Sequence, residues 1–485
     1  MWNASDAINK RLRELEQHLQ TENPILVSVV KSFRKLDKVG YAMGLVDRND
    51  SYANQISWWP LITVLGTFSS GKSTFINHYL GYPLQDTGNQ AVDDKFTVIC
   101  FSPDAQSQTL PGIALDADPR FPFYQISSEL DKVAPGEGGR IDTYLQLKTC
   151  NTAAVKGRIL IDSPGFDADA QRQSILRSTD HIIDLSDLVL VFFDARHPEP
   201  GAMRETLQHL VSQTIHRADA TKFLYILNQI DTAAREDNPE DVIASWQRAL
   251  AQEGLTAGKF YSIYNQNAAV PIEDEEKRKR YESKRDHDLG LIHSRMENVT
   301  MERSYRIISL LEKNARDIEQ FAVPKLREML GQWRRKVLWL DLFSYSFILI
   351  VLIAISVAAG YWQGWKLSPE LLNGGISPWL GVTLLVITGI ALTYVHFMAR
   401  KLAGNRVLKW VKRQTWTQQV KDMMISAFDK NTRPWRSIFS TEPTGWNSRN
   451  QGRLHDVLSE SNEFIQTLNN RYTNPSGMES RRKKE

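Results

Sequence analysis

The fold is decided by the stretch Gly66-Thr67-Phe68-Ser69-Ser70-Gly71-Lys72-Ser73, which follows the apolar run 61–65. The spacing G-x-x-x-x-G-K-S predicts a strand that turns sharply into a helix, with successive backbone N–H groups pointing into the turn. In such a loop the Lys72 amine reaches the β- and γ-phosphates, and the Ser73 hydroxyl is placed for Mg²⁺. The sequence therefore predicts a cradle for nucleotide phosphates.

A second motif lies in the segment Ile159-Leu160-Ile161-Asp162-Ser163-Pro164-Gly165. Asp162 ends an apolar run, where a carboxylate can hold Mg²⁺ through water, and Gly165 allows a backbone N–H to approach the terminal phosphate. A D-x-x-G motif at a strand end, roughly 90 residues after a phosphate loop, is typical of nucleoside triphosphatases. Ser73 and Asp162 are therefore the predicted metal ligands.

A third motif, Asn228-Gln229-Ile230-Asp231, follows the apolar run 223–227. A carboxylate accepts two hydrogen bonds from the N1 and N2 edge of guanine, which adenine cannot donate in that pattern. Asp231 is therefore the predicted specificity residue and Asn228 its brace. Gln229 stands where such sites usually have a lysine that covers the base, which predicts modest affinity for GTP.

The pattern from 61 to 265 alternates strand-like runs with helical periodicity, which predicts an α/β domain with a mostly parallel sheet and helices on both faces. The predicted strands are 61–65, 96–101, 143–149, 158–161, 188–193 and 222–227. The Pro- and Gly-rich segment 103–139 is not placed by this pattern.

Two uncharged apolar runs, 342–361 and 379–398, are each close to the ~20 residues that cross a bilayer. Tryptophans cluster at their ends, and basic residues flank the pair on its outer sides. These features predict a two-helix transmembrane hairpin in an integral membrane protein, with the N- and C-terminal regions in the cytoplasm. A bacterial inner (plasma) membrane is favoured, although an organelle membrane of the same orientation would give the same pattern.

The composition divides the chain into five predicted parts. They are N-terminal amphipathic helices at 1–55, a GTPase domain at 56–270, a helical stalk at 271–338, paired transmembrane helices with a short loop at 339–400, and C-terminal helices with a basic tail at 401–485. The formal net charge of +3 is nearly balanced, so no nucleic-acid partner is predicted. Cys100 and Cys150 both lie in strand-like runs and are expected to be buried, reduced thiols.

Three stretches, 66–76, 161–165 and 190–196, resemble the dynamin superfamily of large GTPases, and its EHD-type branch most. The two apolar runs follow a helical region, and this arrangement is similar to that of mitofusins and bacterial dynamin-like proteins. The resemblance covers about 61–265 by motif and the remainder by architecture only. It implies a GTPase domain that dimerises across its nucleotide face, a stalk that transmits the change, and a lipid bilayer that is remodelled, tethered, fused or divided.

Carried over position by position, the resemblance gives a set of site residues. The nucleotide-binding positions are Gly66, Ser69, Ser70, Gly71, Lys72, Ser73, Thr74, Asp162, Gly165, Asn228, Gln229 and Asp231. The catalytic positions are Ser69, Lys72 and Thr97, with Mg²⁺ as the cofactor of GTP.

Two positions depart from the family pattern. The switch I segment falls on 88–97, where ungapped counting puts Asp93 in place of the threonine that binds Mg²⁺ and orients the attacking water. Thr97 or Thr87 can substitute after a local shift. Phe68 stands where dynamins have a catalytic glutamine, whereas Ser69, which helps to bind a charge-compensating cation, is retained. Hydrolysis by the monomer is therefore expected to be slow.

Two functions follow from these features. The first is a membrane-anchored GTPase that remodels or bridges membranes, which the helices on both sides of the apolar pair favour. The second is a slow-turnover, membrane-bound GTP switch that recruits or regulates a partner, which Asp93 and Phe68 favour. EHD-type proteins carry a similar base motif yet bind ATP, but Asp231 has a direct physical reason to select GTP.

Overall fold

A computed structural model describes most of the chain. It covers residues 4–67, 69–88, 95–117, 120–121, 141–165, 182–196, 220–232, 239–252, 259–358, 362–363, 366–367, 378–440 and 442–473. The chain forms two compact units. The sheet unit contains Lys10–Val30, Ala53–Ser309 and Thr467–Glu485, and the helical unit contains Met1–Asn9, Lys31–Tyr52 and Leu310–Gln466.

The sheet unit is built on eight strands in the order β3-β4-β2-β5-β1-β6-β7-β8. Their bounds are β1 Leu61–Gly66, β2 Phe96–Phe101, β3 Gln108–Pro111, β4 Leu145–Cys150, β5 Ile159–Asp162, β6 Leu188–Asp194, β7 Phe223–Asn228 and β8 Lys259–Ser262. The pairings β1–β5, β1–β6, β2–β4, β6–β7 and β7–β8 are parallel, whereas β2–β5 and β3–β4 are antiparallel. The mostly parallel sheet is confirmed, and all six predicted strands form.

Helices join and flank these strands. Their bounds are α1 Asp6–Glu22, α2 Pro24–Met43, α3 Lys72–Leu80, α4 Ile113–Ala117, α5 Ile141–Tyr144, α6 Pro239–Gln252, α7 Glu275–Asp317, α8 Val323–Ala358, α9 Pro378–Lys412, α10 Gln418–Asn431 and α11 Ser448–Thr473. Two short strands, β9 Trp362–Gln363 and β10 Lys366–Leu367, pair antiparallel. Within the unplaced segment 103–139, β3 and α4 form, and much of the rest lies outside the described residues.

Each face of the sheet carries its own apolar core. On one face, Phe75 and Ile76 of α3 pack with Met296 of α7 against alternate residues of the central strands. On the other face, Trp246 and Leu250 of α6 pack against the intervening residues. Because successive strand side chains point to opposite faces, one strand supplies both cores. Helices on both faces are thus confirmed, and Cys100 and Cys150 are buried and not disulfide-bonded.

A buried carboxylate joins the beginning of the sheet to α7. Asp187 accepts a hydrogen bond from the Leu61 backbone N–H (3.1 Å) and from the guanidinium groups of Arg303 (3.2 Å) and Arg306 (2.8 Å). Arg303 also donates to the Ser57 carbonyl oxygen. This cluster positions the first residue of β1, the strand that leads into the predicted phosphate loop.

In the helical unit, α8 and α9 pack antiparallel. The Tyr345 hydroxyl donates to the Leu392 carbonyl (3.2 Å), and the Trp333 indole N–H donates to the Arg400 carbonyl (3.1 Å). Among the described residues, one helical stretch, Glu275–Ala358, contains a segment long and apolar enough to cross a membrane, and little of that segment is buried.

The predicted two-helix transmembrane hairpin is therefore not supported as such. The second apolar run, 379–398, lies in α9. Among the described residues of α9, no segment is both long enough and apolar enough to qualify as a membrane span. Several side chains between 378 and 385 lie outside the described part of the chain, as does most of the segment between the two helices. The structure therefore shows that α8 and α9 pack together, but it does not support a second membrane span.

We predict that Asp187→Asn lowers the free energy of unfolding of the sheet unit by about 3 kcal/mol, because Arg303 would stay buried without its counter-charge. The matched control is Glu275→Gln, which breaks an exposed i,i+4 ion pair with Lys279 and is expected to cost less than about 0.5 kcal/mol. Denaturant unfolding of the purified chain measures both. Equal effects of the two substitutions would contradict this account.

We predict a pH effect on stability from Asp37, whose carboxylate accepts hydrogen bonds from the Ser51 hydroxyl (2.6 Å) and the Tyr52 N–H (2.9 Å). Burial raises the pKa of Asp37 from 3.8 to about 7. The folded state therefore keeps this proton to a higher pH than the unfolded chain does. The protonated Asp37 side chain stabilises the folded state fully below pH 4, and this stabilisation is lost as pH rises through 7. The loss is at most about 4 kcal/mol.

Asp37→Asn retains both hydrogen bonds if the Ser51 hydroxyl accepts instead of donates, and it cannot ionise. The melting temperature of the variant minus that of the parent chain should therefore be larger at pH 8 than at pH 5. Thermal unfolding at the two pH values measures this, and a difference independent of pH would show that Asp37 does not titrate in this range.

Candidate nucleotide-binding site

The loop between β1 and α3 has the sharp turn that its glycines predict. Ser69 and Gly71 have positive φ angles, 58° and 84°. A Cβ at Gly66 would lie 2.7 Å from the Phe192 carbonyl oxygen, and a Cβ at Gly71 would lie 2.2 Å from the Asn228 amide nitrogen. Only glycine fits at either position, since neighbouring strand ends approach the loop backbone too closely for a side chain.

Lys72 lies across this loop and is 7% exposed. Its ammonium group donates to the carbonyl oxygens of Gly66 (3.0 Å) and Thr67 (3.1 Å). Burial lowers the pKa of Lys72, and the nearby charge of Asp162 opposes that shift. The amine is thus held by the loop itself, and an anion entering the loop meets it directly.

Ser73 and Asp162 come together as their motifs predict. The Ser73 hydroxyl lies 3.4 Å from Oδ2 of Asp162, where the start of α3 meets the end of β5. Mg²⁺ prefers oxygen ligands and usually takes one or two from the protein and the others from water and phosphate. The pair fits such an ion. In the described part of the chain, no three His, Cys, Asp or Glu side chains are grouped to hold a metal without a ligand's help.

A buried glutamine that sequence reasoning missed orients Asp162. The Gln85 amide nitrogen donates to Oδ2 of Asp162 (2.7 Å), and the Gln85 amide oxygen accepts from the Lys148 ammonium (2.9 Å). Because a lysine can only donate, the amide oxygen must face Lys148, which leaves the NH₂ for the carboxylate. The side chain of Asn77 holds the backbone of residue 85 at both its N–H (2.8 Å) and its carbonyl (2.7 Å).

Gln85 belongs to no motif, so the only sequence signal for this arrangement is Lys148. It is a charged residue inside the otherwise strand-like run 145–150, and it is 7% exposed. A lysine that is buried in a strand needs an acceptor nearby.

Thr97 is the second residue of strand β2, within the predicted strand 96–101. It is fully buried, and its hydroxyl accepts a hydrogen bond from the Gln146 amide (2.7 Å). Asp162 is its register partner on β5, so the threonine lies beside the metal-ligand candidate but is held by another side chain. Asp93 and Phe68 lie outside the described residues.

The residues after β7 brace the phosphate loop. The Asn228 amide donates to the Ser70 carbonyl (2.9 Å), and the Gln229 amide donates to the Ser69 carbonyl (2.6 Å). Gln229 has a positive φ of 64°, which turns its side chain back toward the loop. Asn228 was predicted to brace Asp231; the structure connects it to Ser70 instead, because the ends of neighbouring parallel strands meet at one edge.

Asp231 is 4% exposed and accepts a hydrogen bond from the Val270 N–H (2.8 Å). Burial raises the pKa of Asp231, while this hydrogen bond and the charge of Arg196 oppose the shift. Arg196 is itself paired with Asp194 (2.6 Å). A carboxylate has about four acceptor positions, so Asp231 keeps the capacity to accept from a ligand.

A cavity of about 170 Å³ adjoins the loop. It is lined by Thr74, Phe75, His78, Asn228, Ile263, Tyr264, Asn265, Gln266, Arg285, Asp286 and Leu289. It is smaller than the ~300 Å³ at which ligand pockets usually begin, so it can hold only part of a nucleotide.

The wall of this cavity includes residues that the sequence did not identify. The Arg285 guanidinium lies 4.9 Å from the Tyr264 ring centroid, and Asp288 of the same helix accepts from the Ser262 N–H (2.8 Å). No motif marks these residues in the sequence, and strand β8, which ends just before the loop that carries Tyr264, was not predicted. Helix α7 therefore fixes this loop.

Sequence comparison identifies relatives of the region that forms this site. The model of the Dynamin family matches residues 62–230. EH domain-containing protein 2 of Arabidopsis thaliana is 26% identical over 180 residues, which are 36% of this chain and 30% of that protein. EH domain-containing protein 1 of the same plant is 39% identical over 182 residues, again 36% and 30%. The human EH domain-containing protein 1 is 26% identical over 144 residues, 28% and 25%.

The chain thus spans less than a third of the length of these relatives. Among solved structures, an oligomerised bacterial dynamin pair, described as sensing and tethering membranes, aligns over 98% of this chain and 77% of its own, with 13% identity and a TM-score of 0.32. Toc33 from Arabidopsis thaliana aligns over 50% and 84%, with 11% identity and a TM-score of 0.27. Both scores are low, so the family assignment rests on sequence. Residues 62–230, which carry the phosphate loop and Asp162, match the dynamin family by sequence.

Proposed function

We propose that this chain is a membrane-anchored, dynamin-like GTPase that binds GTP with Mg²⁺, hydrolyses it, and uses nucleotide-dependent dimerisation to remodel, tether, fuse or divide membranes. One observation carries the proposal. Lys72, the Ser73–Asp162 pair and the Asn228–Asp231 segment meet at the edge where the parallel strands end. Open α/β sheets bind nucleotides at that edge.

The chain's own residues divide the work of binding. The phosphate loop, Gly66 to Thr74, surrounds the phosphates, with the Lys72 ammonium exchanging its carbonyl partners for phosphate oxygens. Ser73 and Asp162 would hold Mg²⁺, which would supply positive charge to offset that of the phosphates. Gly165 contributes its backbone N–H, and Asp231 accepts from the guanine edge. Asn228 and Gln229 keep the loop in shape.

Ser69, Lys72 and Thr97 are the proposed catalytic residues. Thr97 reaches the attacking water only if the start of β2 releases the Gln146 hydrogen bond. That requirement supports slow hydrolysis by the monomer, with a second copy supplying the rearrangement.

Membrane anchoring is supported by apolar side chains that α8 and α9 leave exposed. Phe343 is 74% exposed, Ile350 63% and Ile390 64%. We assign the anchor to residues 339–400, in a bacterial inner membrane, with the GTP-binding domain on the cytoplasmic side. The second candidate function is a slow-turnover GTP switch that recruits a partner; Phe68, at the position of the catalytic glutamine of dynamins, favours it.

We predict that the chain binds GTP more tightly than ATP, both in detergent and in liposomes. Lys72→Ala should weaken both nucleotides about tenfold or more, since a charge-assisted hydrogen bond contributes ~1.5–3 kcal/mol. Asp231→Asn should weaken GTP but not ATP, because the amide replaces one acceptor by a donor. Fluorescent-nucleotide titration measures affinity, and phosphate release measures turnover.

Each outcome separates the alternatives. Turnover that rises with protein density on liposomes supports the dynamin-like motor, and selective binding with negligible turnover in both settings supports the switch. Equal binding of GTP and ATP by the parent chain would show that Asp231 does not read the base.

We predict that Gln85→Met weakens Mg²⁺ binding about tenfold, because a residue that orients a metal ligand typically contributes that much. The substitution removes both side-chain hydrogen bonds, while Asn77 still holds the backbone of residue 85. The readout is the Mg²⁺ concentration required for tight nucleotide binding, together with Mn²⁺ binding measured by electron paramagnetic resonance.

The matched control is Gln108→Met, on the exposed strand β3. It should leave the Mg²⁺ requirement unchanged. If Gln85→Met behaves like this control, Gln85 does not position Asp162.

A further inference from the structure

Two large aromatic side chains stand exposed on the turn between α10 and α11. Trp435 is 79% exposed and Phe439 is 65% exposed, whereas Ile438 between them is 8% exposed. We name residues 432–440 the aromatic turn. Its backbone forms hydrogen bonds of its own, from the Arg436 N–H to the Arg433 carbonyl (3.0 Å) and from the Ser440 N–H to the Ser437 carbonyl (3.3 Å). The exposed rings are therefore held in place on a structured turn.

Arg400 of α9 fixes the position of the aromatic turn. Its guanidinium donates to the carbonyl oxygens of Arg433 (2.9 Å), Pro434 (3.2 Å) and Arg436 (2.8 Å). The same group lies 5.2 Å from the ring centroid of Trp333, on α8. Three carbonyls of the turn are thus joined to the point where α8 and α9 are in contact.

From the contact between Arg400 and Trp333 onward, the exposed surface of α8 and α9 becomes apolar. Trp339 is 71% exposed and lies about 9 Å beyond Trp333 along α8. On α9, Phe397 and Met398, just before Arg400, are 42% and 54% exposed. The aromatic turn therefore lies within about two helical turns of the apolar surface.

The path of the chain explains this placement. After Arg400, α9 continues to Lys412, and α10 then leads back from Gln418 to Asn431. Past the aromatic turn, Glu442 pairs with Arg327 (2.8 Å), about 9 Å before Trp333 on α8. The turn is thus the part of the C-terminal segment 413–473 that comes back to the apolar surface before the chain leads away.

The chemistry of the turn fits one kind of occupant. The Arg433 guanidinium lies 5.5 Å from the Trp435 ring centroid, and Lys401, next to Arg400, is exposed. Tryptophan beside cationic side chains, at the end of an apolar helix, matches the headgroup layer of an anionic bilayer. A protein surface would match the rings but would not account for their continuity with the apolar helices.

We propose that the aromatic turn inserts Trp435 and Phe439 into the headgroup layer of an anionic membrane, beside the helices α8 and α9. This inference rests on the proposed membrane anchoring and adds a second, separate contact with the lipid. The turn would hold the returning helices α10 and α11 at the membrane surface.

Site-specific fluorescence tests the proposal on the full chain. Cys100 and Cys150 are 2% and 1% exposed, so an introduced cysteine can be labelled selectively. The reporter is Ser437→Cys, an exposed position in the turn that retains both aromatic rings. Leu349→Cys, 58% exposed on α8, reports on the anchor. Thr415→Cys, at least about 18 Å past Arg400 along the chain's helical path, is the matched surface control.

Each labelled chain is reconstituted in vesicles with and without phosphatidylserine, which carry spin-labelled lipids that quench either at the headgroup or deep in the acyl chains. The 437 label should be quenched at least about twofold by the headgroup quencher, more so with phosphatidylserine. The 349 label should be quenched by the deep quencher and the 415 label by neither. Adding Trp435→Ser and Phe439→Ser to the 437 reporter should abolish its quenching.

The three labels distinguish the possible failures. If the 349 label is quenched and the 437 label behaves like the 415 label, the turn does not touch lipid and the inference is overturned, while the anchor stands. If the 437 label is shielded without lipid quenching, the turn is a protein interface, which also overturns the inference. If the 349 label is not quenched, the membrane anchoring itself fails.

Discussion

The close approach of the loop 66–71 to the ends of β6 and β7 is the constraint on which the rest of the site depends. A Cβ at Gly66 would meet the Phe192 carbonyl, and one at Gly71 would meet the Asn228 amide. Because no side chain intervenes, the loop carbonyls come within hydrogen-bonding distance of Asn228 and Gln229. Segments about 160 residues apart then form one surface.

Several polar side chains of this surface form hydrogen bonds within the protein. Lys72 donates to loop carbonyls, Gln85 to Asp162, and Asp231 accepts from Val270. A nucleotide must therefore exchange existing hydrogen bonds for new ones, and only the difference contributes to its affinity. This arrangement gives the buried charges of Lys72 and Asp162 hydrogen-bond partners within the protein.

Helix α7 contacts the site at several points. It lines the cavity with Arg285, holds the Ser262 N–H through Asp288, and holds the start of β1 through Arg303 and Asp187. The helical stretch that begins at Glu275 runs on to Ala358, with a π-helical segment at Ile318–Ala322. Such segments frequently mark functional positions within helices.

The phosphate loop, six of the strands and the helices on both faces could be predicted from the sequence. Turn glycines and the apolar runs of buried parallel strands are local patterns that a sequence shows directly. Prediction from the sequence missed the short, partly exposed strands β3 and β8, which lack such runs. Three contacts became known only from the tertiary structure: Asn228 braces Ser70, Gln85 and Lys148 orient Asp162, and Gln146 holds the Thr97 hydroxyl. These partners are far apart in the chain, and a hydrogen bond between them is specified by the meeting of strand ends rather than by any local pattern.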